Sequence, residues 1–157
     1  MPHEPTPSEL DALMRERATL TLRVFWGAML AGLVLLFLLV LSLWSKDAVP
    51  DSPPYVARGL GYAVVIMLVT LVPLGYFIRN QQYKKHWRGD AIAPAGYLSG
   101  NLVLFVFCEL IASVGLAATL IARSHGWQYL TAVPVIIAVA VLVVNFPNGR
   151  AMLPARS

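Results

Sequence analysis

An all-α integral membrane protein, built as an antiparallel bundle of four transmembrane helices, is the fold class this sequence predicts. Three observations predict it. The 157-residue chain is 58% hydrophobic and only 13% charged, whereas ordinary soluble domains carry about 25% charged residues. Its mean hydropathy is +0.68. The apolar residues also arrive in blocks, at about 24–44, 60–78, 98–122 and 128–146, nearly free of charge. At a rise of about 1.5 Å per residue, helices of this length reach across a hydrocarbon core about 30 Å thick. Lipid offers no water to the backbone, and a helix satisfies its N–H and C=O groups within one segment. The expectation is a single membrane domain, 1–157, without a separate soluble unit.

The chain opens on Thr6-Pro7-Ser8-Glu9, the pattern of a capping box. Thr6 caps, Pro7 suits the first helical position, and Glu9 reaches back to the cap. Leu10, Leu13, Met14, Arg17 and Thr21 follow at helical spacing, so 6–23 is expected to be a cytoplasmic amphipathic lead-in, lying at the interface or docking a partner. The block 24–44 exceeds the roughly 7–15 apolar residues of a cleaved leader and ends in Leu43-Trp44-Ser45-Lys46, without a small-x-small site. It is expected to be retained. Its Gly27-Ala28-x-x-Ala31-Gly32, like Gly96-x-x-x-Gly100 in the third block, suits close helix packing.

The twelve Lys and Arg residues divide unevenly between the connections. Arg15, Arg17, Arg23, Arg79, Lys84, Lys85, Arg88, Arg150 and Arg156 fall on one side, against Lys46, Arg58 and Arg123 on the other. Basic connections stay cytoplasmic, which predicts a multi-pass inner-membrane protein with both termini inside. Trp26, Trp44, Tyr76, Tyr97, Trp127 and Tyr129 stand at block borders, as interfacial aromatics do.

The basic cytoplasmic loop, 79–95, begins Arg79-Asn-Gln-Gln-Tyr-Lys-Lys-His-Trp-Arg88-Gly89. Tyr76, Asn80, Tyr83 and Trp87 share a helix face at this spacing, so the second helix is expected to continue about two turns and stop at Gly89. Arg79, Tyr83, Lys84, Lys85, Trp87 and Arg88 are the candidate contacts for anionic headgroups or a protein partner. Nucleic acid fits poorly so close to a membrane.

Within the third block, Glu109 is the only charged residue. An ionised carboxylate at the bilayer centre costs upwards of about 2.5–3.5 kcal/mol, so an uncharged carboxyl donating a hydrogen bond is expected. The candidate acceptors at similar depth are the Thr70 hydroxyl and the Leu130 carbonyl, which Pro134 cannot engage. Asn101, Phe105, Glu109, Ala112, Leu116 and Thr119 share a broad side of the helix, which should face the bundle. Such a carboxyl either ties helices together or binds and carries a proton.

Four spans with one membrane glutamate resemble, in layout alone, rotor-ring proteolipids and small multidrug-resistance transporters. The Gly- and Ala-rich hairpins of the former are missing, and the latter place their carboxylate in the first span. Neither family is recognised. His3, His86 and His125 lie outside the blocks, which disfavours bis-histidine haem. The single cysteine excludes an internal disulfide, and no zinc-site spacing occurs. The short polar connections leave no room for a catalytic domain, and no hydrolytic or metal-binding set converges at one depth. A quinone, pigment or lipid between the helices stays open.

The expectation is a non-enzymatic subunit or assembly/scaffold factor of a membrane complex, without cofactor or metal. Its partners would be the bilayer and other membrane subunits or further copies of the chain. The alternative is a proton-coupled small transporter or proton-binding subunit using Glu109.

Overall fold

The computed structural model describes residues 6–45, 52–122 and 128–153. Lys46, Arg123, Trp127 and Arg156, which entered the orientation and border arguments, lie outside them. The elements are α1 (Pro7–Ser45), α2 (Pro54–Lys85), β1 (Trp87–Arg88), β2 (Ala91–Ile92), α3 (Pro94–Ile121), α4 (Gln128–Val144) and a 3-10 turn (Arg150–Met152). The predicted helical bundle is what forms. Its first three helices are long and apolar enough to cross a membrane; α4, with 17 residues, is shorter.

Local chemistry sets the helix ends. The capping box closes as the sequence predicts: the Thr6 N–H donates to Glu9 Oε2 at 2.7 Å and the Glu9 N–H to Thr6 Oγ1 at 3.4 Å. The bond from the Thr6 N–H, then that from its hydroxyl, holds the Glu9 carboxyl below its usual value. From here α1 runs 39 residues without a break, about 58 Å at the helical rise. That is nearly twice a hydrocarbon core. Lead-in and span are thus one rod, and a rod that crosses a bilayer cannot also lie flat on it.

α2 begins at Pro54, earlier than the apolar block, because Pro53 and Pro54 supply a start whose missing N–H costs nothing. It ends at Lys85, four residues before the expected stop at Gly89. His86 caps it, and a two-residue hairpin follows with Trp87 opposite Ile92 and Arg88 opposite Ala91. Gly89 serves the hairpin turn instead, at φ +57°, a conformation glycine adopts without a Cβ clash. α3 likewise opens on proline, at Pro94, before the 98 expected. α4 stops at Val144 rather than 146; Pro147 disfavours helical geometry for the residue before it.

α3 lies at the centre and packs against α1, α2 and α4, while α2 and α4 also touch each other. Missing side chains let it approach closely. A Cβ on Gly96 would meet the His86 side chain, one on Gly100 would sit 3.1 Å from Arg79 Cγ and Tyr83 Cε1, and one on Gly115 would collide with Val135. Across the bundle, a Cβ on Gly61 would lie 2.9 Å from Leu130 Cβ. Leu22, Val64, Leu104, Phe105, Ile111 and Leu142 are fully buried in the resulting core.

α1 attaches differently. Its buried side chains, Ala18, Leu22, Met29, Leu33 and Val40, make one narrow stripe. A Cβ on Gly27 or Gly32 would have nothing within 4 Å, so the expected close packing there is absent among the described residues. The outside of the bundle is apolar: Leu35, Ile66, Val69 and Ile136 are each more than 60% exposed. A continuous surface of this kind suits lipid and not water.

The glycines therefore divide into two sets with opposite tolerance. Gly115→Leu is expected to destabilise the bundle by about 1–3 kcal/mol through overpacking against Val135, while Gly32→Leu should change it by less than about 0.5 kcal/mol. Unfolding curves in mixed micelles measure both.

Candidate functional site

A polar network holds the end of the bundle that carries the hairpin and the C-terminal turn. Arg79 Nη1 donates to Asn145 Oδ1 at 2.6 Å. The Asn145 amide donates to Tyr76 Oη and to the Val141 carbonyl, both at 2.8 Å. One turn along α2, Tyr83 Oη accepts from Asn101 Nδ2 at 2.6 Å, which also donates to the Tyr97 carbonyl at 2.8 Å. The rings of Tyr83 and Tyr97 stack with centroids 6.2 Å apart. Tyr97 Oη accepts the Gly149 N–H at 3.1 Å, fastening the C-terminal turn to α3.

Spacing explains the convergence. Tyr76, Arg79 and Tyr83 recur at three and four residues on α2, and Tyr97 and Asn101 stand four apart on α3, so each set shares one face. The Arg79 guanidinium lies 4.6 Å from the Tyr76 ring centroid and 5.8 Å from that of Tyr83. Its Nε is buried without a hydrogen bond. Among the described residues no carboxylate pairs with it. The cation is held by an amide and the faces of two rings, contacts worth about 0.5–2 kcal/mol each.

The expected contact surface consequently splits. Arg79 and Tyr83 turn inward onto the network, as do the border aromatics Tyr76 and Tyr97; Tyr97 is only 4% exposed. Lys84, Lys85, Trp87 and Arg88 remain outward. Trp87 does not share a helix face with Tyr83, because it belongs to the hairpin, where its Nε1 donates to the Gly89 carbonyl at 2.6 Å.

The residues suggested around Glu109 do not come together. Asn101 bonds to Tyr83 at the network end. The Thr70 hydroxyl is exposed and donates to the Ile66 carbonyl of its own helix at 2.7 Å. Pro134 is fully buried, but the tie between α3 and α4 beside it joins Thr119 and Thr131, whose hydroxyls lie 2.7 Å apart. Glu109 itself is half-exposed and has no hydrogen-bond partner among the described residues. Phe105, Ala112 and Leu116 on its side are buried, so Glu109 marks the edge of the inward face. Leu116, two turns along that edge, lines a groove with Leu30, Leu33, Val34 and Phe37 of α1 and Val135 and Val139 of α4.

Sequence reasoning missed Asn145, Thr131 and Gly149. Asn145 carried a signal, since a primary amide ending a charge-free block needs a partner. Among the described residues no group of His, Cys, Asp and Glu side chains is placed to hold a metal ion. No protein family, curated protein or solved structure matches this chain.

Removing Asn145 leaves both Arg79 Nη1 and Tyr76 Oη without their partner. Asn145→Leu is expected to destabilise by about 1.5–3 kcal/mol, the range for a hydrogen bond to a charged group, and Tyr76→Phe by only about 0.5–1.5 kcal/mol. Denaturation of the purified variants in one detergent ranks them.

Proposed function

We propose that this chain is a non-enzymatic subunit or assembly factor of a membrane complex, embedded in a bacterial-type inner membrane with both termini cytoplasmic. The observation that carries this is the outer side of α1. Leu10, Leu13 and Met14 are 45–51% exposed at helical spacing, on the part of the rod that extends past Arg15. A side chain in lipid gains from being apolar, but one held beyond the bilayer gains only if something covers it. The small residues Gly27, Ala28, Ala31 and Gly32 continue the opening into the membrane, where they favour a second helix. Outward-facing Lys84, Lys85, Trp87 and Arg88 add a basic, aromatic rim suited to an acidic partner surface.

The unpartnered carboxyl of Glu109 supports a second function. A glutamate that merely tied two helices of this chain would have an acceptor within it. One lacking an acceptor among the described residues is open to a neighbouring chain or to proton exchange.

Photo-crosslinkers at positions 13, 87 and 69 test the first proposal in native membranes. Positions 13 and 87 are expected to join the same membrane protein, while position 69, on the lipid-facing side of α2, should yield lipid adducts alone. Lipid adducts alone at all three would overturn it. Glu109→Gln keeps the shape and should leave those crosslinks intact; abolition of proton flux in sealed vesicles by that change would establish the second function instead.

A further inference from the structure

We propose that the cleft between α1 and α4 binds one acidic phospholipid, its phosphate held by Arg15 and Arg23 and an acyl chain lying in the apolar groove beyond them. Two openings along the same seam carry this. At the basic end, a groove of about 290 Å3 is lined by Arg15, Glu16, Thr19 and Arg23 of α1 and by Asn148 and Gly149 beyond α4. Deeper along the rod, a groove of about 180 Å3 is lined by Leu30, Val34 and Phe37 of α1 and by Val135 and Val139 of α4, with Leu116 at its floor. Positions 19, 23, 30, 34 and 37 recur at three, four and seven residues, so both openings sit on one face of α1. The seam is open on either side of the Trp26 bridge because α1 packs chiefly on α3.

The upper groove suits a phosphate. Arg23 Nε donates to the Pro147 carbonyl at 3.0 Å, and its guanidinium lies 5.5 Å from the Phe146 ring centroid. These contacts orient the fork and, among the described residues, leave its terminal N–H groups free, the geometry that grips phosphate oxygens two at a time. Arg15 has no ion pair among the described residues, and it also borders an adjoining groove with Asp11 and Arg88, so the two linings together carry three arginines against two carboxylates. Asn148 Oδ1 accepts the Arg150 N–H at 3.0 Å, which leaves its amide N–H groups as further donors. Gly149, at φ +73°, brings the C-terminal turn against Thr19, whose hydroxyl would lie 2.8 Å from a Cβ there. Glu16 is the one carboxylate on the lining among the described residues, so two cations face one anion.

The separation fits a lipid. From Arg23 to Leu30 and Phe37 is about 10–20 Å along the helix, within reach of one leaflet, half of a bilayer about 40–45 Å thick with its headgroup regions. Trp26, whose Nε1 donates to the Leu142 carbonyl at 2.9 Å, stands between the two openings, where interfacial tryptophans sit. A soluble phosphate would use the upper groove alone; a lipid uses both.

The test uses the full purified chain, without partners, in nanodiscs of phosphatidylcholine mixed with phosphatidylglycerol, reading retained lipid by native mass spectrometry. Phosphatidylglycerol is expected to be retained over phosphatidylcholine. Arg15→Gln with Arg23→Gln should weaken that retention about tenfold, equivalent to about 1.4 kcal/mol. Val139→Trp, which fills the apolar groove, should weaken it too, while Lys84→Gln with Lys85→Gln should leave it unchanged. Should the double arginine variant not fold, Glu16→Gln removes only an exposed anion and must raise retention. Equal loss in the Lys84/Lys85 variant, or no change in the arginine and Glu16 variants, would overturn the site. Full displacement by inorganic phosphate together with an inert Val139→Trp would overturn the lipid and leave a soluble anion. Because no partner is present, either result is independent of whether α1 docks another protein.

Discussion

Close approach along α3 is the constraint from which the rest of this structure follows. Between helices in lipid there is little hydrophobic drive, since the acyl chains are as apolar as leucine, and packing must supply the attraction. α3 meets that demand where it lacks side chains, at Gly96 and Gly100 against α2 and at Gly115 against α4. Those contacts bring the helix backbones near enough for short polar side chains to bridge them. Thr119 reaches Thr131 and Asn101 reaches Tyr83 only because the intervening glycines admit the neighbouring rod.

The polar bridges are placed at the two ends of the bundle, and the apolar core between them is filled by Leu104, Phe105, Ile111 and Leu142. At one end Ser52 Oγ also donates to the Ile121 carbonyl at 2.8 Å; at the other, five polar or aromatic side chains interlock around Arg79. This arrangement orders register. A one-turn slip of α4 would detach Asn145 from Arg79 and Tyr76 together with Thr131 from Thr119, leaving unsatisfied groups at both ends. α1 is exempt from this lock. It contributes Trp26 and Arg23 as donors to the carbonyls of Leu142 and Pro147 and packs through a narrow apolar stripe.

Helix number, helix order and the capping box were legible because they depend on local periodicity and on residues adjacent in the chain. The hairpin at Trp87–Ile92 was not. Its two-residue strands lack any period, and Gly89 signals a helix stop as readily as a turn. The inward turn of Arg79 and Tyr83 was missed for a different reason. A basic, aromatic stretch beside a membrane has an adequate explanation as a headgroup belt, and nothing local reveals that Asn145, more than sixty residues on, completes a cage for the guanidinium. Glu109 was visible as an anomaly, but neither acceptor suggested for it takes that part, because depth counted from helix ends assumes equal tilts and equal lengths. α4 is too short for that assumption to hold.

Among the described residues Arg79 is wrapped by neutral groups alone, and that carries a consequence for the joint between α2 and α4. A positive charge in an ordinary connection influences which way a helical hairpin enters the bilayer and then has no further part to play. Here a cation is wedged among Asn145, Tyr76 and Tyr83, so it serves as a keystone of the finished bundle. Because Arg79 and Asn145 travel together, that joint between α2 and α4 holds whichever way the molecule is threaded, and the charge keeps its work after folding is complete.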